Sequence, residues 1–169
     1  AGGEPGACSN GLSDRAIFAG GRDFTDTNII SYCTISIKSN SINFGDLSAD
    51  REAIGSFSNG TNERGIFGGG FHSSFLNIIE YITVSTPGNS SNFVDLSLIN
   101  SPVGSTSNCT NERGLFIGGV TTGSTRVNVL EYITVSTPGN SSDFGDLLSV
   151  VANNSGCSNG TNERGICAG

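Results

Sequence analysis

Asn62-Glu-Arg-Gly-Ile-Phe-Gly-Gly-Gly70 is one of four near-copies of a single phrase in this chain. Ser13-Asp-Arg-Ala-Ile-Phe-Ala-Gly-Gly21 precedes it, Asn111-Glu-Arg-Gly-Leu-Phe-Ile-Gly-Gly119 follows it, and a clipped Asn162-Glu-Arg-Gly-Ile-Cys-Ala-Gly169 closes the series. The arginines Arg15, Arg64, Arg113 and Arg164 lie 49, 49 and 51 residues apart. A period near fifty marks a unit that cannot bury its own apolar face and must stack on a neighbour. Three units share the 169 residues, so each is small for an independent domain. They divide as 13–61, 62–110 and 111–161, with partial units of one strand at 1–12 and 162–169.

Each unit reads as four short strands. The first is the apolar run after the arginine, ended by glycines that permit a turn or close backbone packing. The second is the clearest: Asn77-Ile-Ile-Glu-Tyr-Ile-Thr-Val-Ser85 matches Asn128-Val-Leu-Glu-Tyr-Ile-Thr-Val-Ser136, and Asn28-Ile-Ile-Ser-Tyr-Cys-Thr-Ile-Ser36 is the earlier version. Thr86-Pro-Gly88 and Thr137-Pro-Gly139 then supply tight turns. The third strand contains Phe44-Gly-Asp-Leu47, Phe93-Val-Asp-Leu96 and Phe144-Gly-Asp-Leu147; Asp46, Asp95 and Asp146 are expected to cap backbone donors rather than bind calcium. The fourth covers Ile54–Ser58, Val103–Ser107 and Gly156–Ser158, with Gly6–Ser9 as its N-terminal counterpart.

Composition narrows the function classes. Eight basic residues against fifteen acidic ones give a net charge of -7, and Lys38 is the only lysine, which argues against nucleic acid and anionic membranes as partners. No stretch reaches the roughly 18 apolar residues of a spanning helix, so direct membrane insertion is not expected. Hydrophobic residues make up 35% and charged residues 14%, with 25 glycines, a balance that fits short strands and turns better than charged disorder. The five cysteines, Cys8, Cys33, Cys109, Cys157 and Cys167, form no CxxC motif, and His72 is the only histidine, so neither a zinc site nor any cofactor is expected. Cys8, Cys157 and Cys167 read either as small packed residues or as a terminal staple.

Arg64 through Ser107 resembles a kelch repeat: a glycine pair ends the first strand, Glu80-Tyr81 lies in the second, and Phe93 stands at the aromatic anchor. Glu131-Tyr132 and Phe144 repeat the pattern, as do Tyr32 and Phe44, although Ser31 replaces the acidic residue. The wording is similar to kelch-like repeat proteins encoded by tailed phages and environmental microbes. That resemblance implies an all-β propeller of four-stranded antiparallel blades, used for binding, display or assembly. Some kelch-like propellers are oxidases, but no metal-ligand set of tyrosine, cysteine and histidine is identifiable in this sequence.

Three full blades fall short of the usual four to eight, so the lone terminal strands are expected to complete one another between copies. The expected product is a closed homo-oligomer or a head-to-tail filament, and with it a structural or adhesive role at an extracellular or virion surface. A fragment of a longer kelch-like protein and an unusual closed monomer are the alternatives. Residues expected to pack the repeats are Arg15, Arg64 and Arg113; Phe18, Phe67 and Phe116; Tyr32, Tyr81 and Tyr132; and Phe44, Phe93 and Phe144. Those expected to join copies are Cys8, Cys157, Arg164, Ile166 and Cys167.

A carbohydrate-binding propeller module is the second functional reading, with Thr25-Asp-Thr-Asn28 and Thr121-Thr-Gly-Ser-Thr125 offering hydroxyl and amide groups to a surface glycan. Enzymatic action is not expected, because His72 with Ser73 and Ser74 makes no catalytic constellation and Glu80 and Glu131 recur at one structural position. Six Asn-x-Ser/Thr triplets, at Asn59, Asn89, Asn108, Asn140, Asn153 and Asn159, carry information only if the chain passes a glycosylating route.

Overall fold

Runs of Ile, Val, Tyr and Thr favour the pleated backbone, and the Gly-Gly and Pro-Gly stretches turn it back on itself. The computed structural model describes residues 3–9, 13–58, 63–98, 100–101, 104–107, 112–158 and 164–169. Cys109, Val103, the start of the clipped motif at Asn162, and the triplets at Asn59, Asn108 and Asn159 lie wholly or partly outside the described residues.

The first sheet contains β1 (Gly6–Ser9), β2 (Arg15–Ala19), β3 (Ile29–Thr34) and β4 (Ile42–Asp46), antiparallel and in chain order. The second begins with β5 (Gly55–Ser58) and β6 (Arg64–Gly68). A small hairpin of β7 (Phe71–His72) and β8 (Ser74–Phe75) stands apart, and β9 (Ile78–Thr83) and β10 (Ser91–Asp95) complete the order β5-β6-β9-β10. In the third, β11 (Asn100–Ser101) and β12 (Gly104–Ser107) both pair with β13 (Arg113–Thr121), which is followed by β14 (Thr125–Thr134) and β15 (Ser142–Val151). β16 (Ser155–Cys157) and β17 (Ile166–Ala168) form a final two-stranded sheet.

Successive sheets stack through their faces. Ile17, Ile30, Phe44 and Leu47 of the first sheet and its following turn meet Phe67, Ile82 and Val84 of the second in one core cluster. Ile66, Ile79, Phe93 and Leu96 then meet Phe116, Ile133 and Val135 of the third in a second cluster. Along one seam β1, β5 and β12 lie beside each other, and serine hydroxyls bridge them. Ser56 Oγ accepts from Ala7 N at 2.7 Å and donates to Ala7 O at 2.9 Å; Ser105 Oγ likewise accepts from Ser56 N and donates to Ser56 O. The glycine after each inner arginine makes this approach possible. A Cβ on Gly65 would lie 2.8 Å from Cys8 Sγ, and one on Gly114 would overlap the Phe57 ring. Burial at this joint pushes the Cys8 thiol up to about 12.

All-β structure is shown, but the kelch-like propeller is not. The sheets form an open series, none closes into a ring, and no circular blade arrangement is present among the described residues. The physical reason lies in the end faces: Phe18, Ile35 and Phe144, whose counterparts pack the inner interfaces, remain exposed. The terminal segments are also not lone strands. β1 completes the first sheet against β2, with Gly6 opposite Ala19, and β17 pairs with β16, with Gly156 opposite Cys167. Self-assembly by completion of partial blades therefore loses its basis. The structural or adhesive virion role built on it falls too, as do the carbohydrate-binding propeller module and the kelch-fragment reading.

Candidate functional site: an apolar groove on the third sheet

The repeat places one set of side chains at each sheet face and a complementary set on the sheet that covers it. Phe44 is 3% exposed and Phe93 is 0% exposed, because Phe67, Ile82 and Val84 cover the first and Phe116, Ile133 and Val135 cover the second. Their counterpart Phe144 is 48% exposed. Leu115 and Leu130, which correspond to the fully buried Ile66 and Ile79, are only partly buried. Among the described residues, opposite this face stands the two-stranded β16–β17 sheet, with Cys167 where Phe116 would stand. The result is a largely apolar groove of about 510 Å³, bounded by Leu115, Ile117, Leu130 and Phe144 on one side and by Arg164, Ile166 and Cys167 on the other.

The arginines have a defined place beside this surface. Arg15, Arg64 and Arg113 lie over Tyr32, Tyr81 and Tyr132 with guanidinium carbons 4.6, 4.6 and 4.9 Å from the ring centroids. Arg15 also donates to Val84 O at 2.8 Å and Arg64 to Val135 O at 2.6 Å, so each reaches from its own tyrosine to the next sheet. Arg113 lines the groove. Each tyrosine meets its aromatic partner edge-on: Tyr32 with Phe44 at 5.8 Å, Tyr81 with Phe93 at 6.0 Å and Tyr132 with Phe144 at 6.0 Å. Phe67 and Phe116 are buried, whereas Phe18 is on the outer face of the first sheet. Arg164, Ile166 and Cys167 come together at the groove, while Cys8 lies at the seam between the first two sheets. Cys8, Cys33, Cys157 and Cys167 are unpaired thiols.

Two polar joints hold the stack behind the groove. Glu80 in β9 is buried and receives Arg51 Nη2 at 2.5 Å, Ser48 N at 3.0 Å and Ser90 Oγ at 2.7 Å. Arg51 also donates to Gly69 O and Ile78 O. Burial pulls the Arg51 pKa down and Glu80 pulls it back up, and the guanidinium stays charged at neutral pH. Glu131 repeats the joint without an arginine: its Oε1 accepts from Ser97 N, Ser97 Oγ and Ser141 Oγ, and Asn100 stands where Arg51 does. Sequence reading missed Arg51, since its position is not repeated; recurring glutamates in a strand with few charges were the available signal.

The loop end is occupied by internal contacts. His72 Nδ1 lies 2.8 Å from Asp26 Oδ2, and Arg22 approaches Glu52 at 3.3 Å and Asp26 at 3.7 Å, tying the first-sheet loop to the β7–β8 hairpin. Thr27 Oγ1 accepts from Ile29 N, Asn28 donates to Leu47 O, and Thr121 Oγ1 donates to Thr125 O. At Asp46 and Asp95 it is the backbone that joins the next sheet: Asp46 N donates to Asn89 Oδ1, Asp95 N donates to Asn140 Oδ1, and Ser90 N and Ser141 N donate to the two carbonyls. Asn89 and Asn140, which head two of the glycosylation triplets, thus serve the joints between sheets.

The groove offers apolar burial, and Arg113 and Arg164 are the charged residues of its lining. No protein-family model matches this chain, and no curated protein matches it in sequence.

Proposed function

We propose that this chain is a non-enzymatic interaction module in which a stack of repeated sheets presents the third-sheet groove to an apolar partner surface. The observation that carries this reading is the exposure of Phe144 at a position buried as Phe44 and Phe93 in the two preceding sheets. A face that is covered twice by apolar side chains and open once has the composition of a binding surface. The two inner interfaces indicate what such a surface accepts: branched aliphatic and aromatic side chains delivered on a strand.

An apolar fluorescent dye such as bis-ANS tests the groove directly. Saturable one-to-one enhancement is expected with the intact chain and a several-fold weaker response with Leu130→Asn, whereas Phe24→Ser, a change on an exposed loop of the first sheet, leaves the response unchanged. Equal responses from all three proteins would remove the groove as the binding site.

A further inference from the structure

The two buried glutamates sit in the same cradle and differ in what answers their charge. Glu80 Oε1 accepts from Ser48 N and Ser90 Oγ, and its Oε2 accepts from the Arg51 guanidinium. Glu131 Oε1 accepts from the counterparts, Ser97 N and Ser141 Oγ, and from Ser97 Oγ as well, while no hydrogen bond or ion pair from a described residue reaches its Oε2. At 2% exposure this carboxylate is withdrawn from bulk water, and a buried charge without a partner is costly. Asn100 stands at Arg51's place in the backbone as well as in the repeat: Gly21 N donates to Arg51 O at 2.8 Å, and Gly70 N donates to Asn100 O at 3.2 Å. The side chains reach the same carbonyl, Arg51 Nη1 donating to Gly69 O at 3.0 Å and Asn100 Nδ2 to Gly118 O at 3.3 Å. The amide brings no positive charge, however, and its Oδ1 is buried with no hydrogen-bond partner in a residue 3% exposed. Arg51 also donates to Ile78 O at 3.2 Å, and Val129 holds Ile78's place two residues before the glutamate.

We propose that the Asn100–Glu131 joint binds a monovalent metal cation, sodium or potassium, at the position that the Arg51 guanidinium takes in the preceding joint. Glu131 Oε2 supplies the negative charge, and Asn100 Oδ1 and the Val129 carbonyl supply neutral oxygen ligands. Oxygen atoms are the ligands of hard cations, and carbonyl oxygens replace the hydration shell of alkali ions. One carboxylate matches one positive charge, as Glu80 matches Arg51. No cluster of three or more Asp, Glu, His or Cys side chains that could hold a more highly charged ion is present among the described residues. The second sheet's joint is thus closed by the chain's own arginine and the third sheet's by an ion from solution, so the stability of the stack depends on which cation is present.

Thermal unfolding of the intact chain at fixed ionic strength, with sodium or potassium chloride replacing choline chloride stepwise, reads the site. A saturable rise in Tm of about 3–5 °C is expected with at least one of the two ions. Asn100→Arg, which restores the guanidinium, and Glu131→Gln, whose amide nitrogen donates to Asn100 Oδ1 in place of the ion, should each unfold at a temperature independent of the cation. The sodium NMR line, broadened by the intact chain and not by Glu131→Gln, reports the ion without relying on stability, and with Glu131→Gln it decides the matter should Asn100→Arg not fold. Equal Tm values in sodium, potassium and choline, with no line broadening, overturn the proposal and leave Glu131 Oε2 to a water or a proton. A cation dependence that both variants retain also overturns it, because the ion then binds elsewhere.

Discussion

Arg51 shows how one residue joins two sheets. It comes from the segment after β4, is 0% exposed, and spends its guanidinium on Glu80 and two carbonyls of the second sheet. A buried charge that loses its partner is expensive, so Arg51→Ala should lower stability to chemical denaturation by about 3–5 kcal/mol. Asn100→Ala, which removes one hydrogen bond to Gly118 O at the corresponding place, should cost only about 1 kcal/mol. Equal losses in the two variants would show that the charge is not what matters. Nothing in the sequence marks Arg51, because the repeat places Asn100 and Val151 at its counterparts. Its partner Glu80 was visible as a recurring acid in an aliphatic strand, and its role follows from burial rather than from chemistry at a surface.

At the scale of the strand, the bulge in β10 is the place where sequence and backbone disagree. The register of β10 against β9 shifts between Asn92 and Val94, and Val94 has a φ of 139°. The matching residues in β4 and β15 are Gly45 and Gly145, with φ of 158° and 136°. A β-branched residue is strained there. Val94→Gly should therefore raise stability, by about 1 kcal/mol after the added flexibility of the unfolded chain is deducted, as read from the denaturation midpoint. A lower midpoint would mean that the Val94 side chain contributes more by packing than its backbone loses by strain. The Phe-x-Asp-Leu phrase made this strand legible, and glycine in two of three copies hinted at the bulge. Residues 162–169 read as a lone strand in the sequence, and the pairing of β17 with β16 was not legible, because strand pairing joins residues that no local pattern connects.

Position in the stack decides what a residue is worth to the whole molecule. Phe93 and Phe144 are the same letter of the repeat, but one lies between two sheets and the other at the open groove. Phe93→Ala should cost about 3–5 kcal/mol in thermal or denaturant unfolding, while Phe144→Ala should cost less than about 1 kcal/mol and instead weaken binding at the groove. Similar losses would mean that the third-sheet face is covered in solution. The sequence by itself determined most of the strands, the turns at the glycine pairs and the period, because each depends on local propensity or on a pattern that every unit repeats; which copy of a repeated phenylalanine is buried was not among them, since Phe18 and Phe144 are exposed where Phe67 and Phe93 are buried. The open series, the pairing of both terminal strands and the groove were decided only by the tertiary structure. Whether stacked sheets close into a ring depends on the small rotation between neighbours, and that rotation is set by contacts such as Gly114 against Phe57 and Arg51 against Glu80, between residues about thirty to sixty apart in the chain.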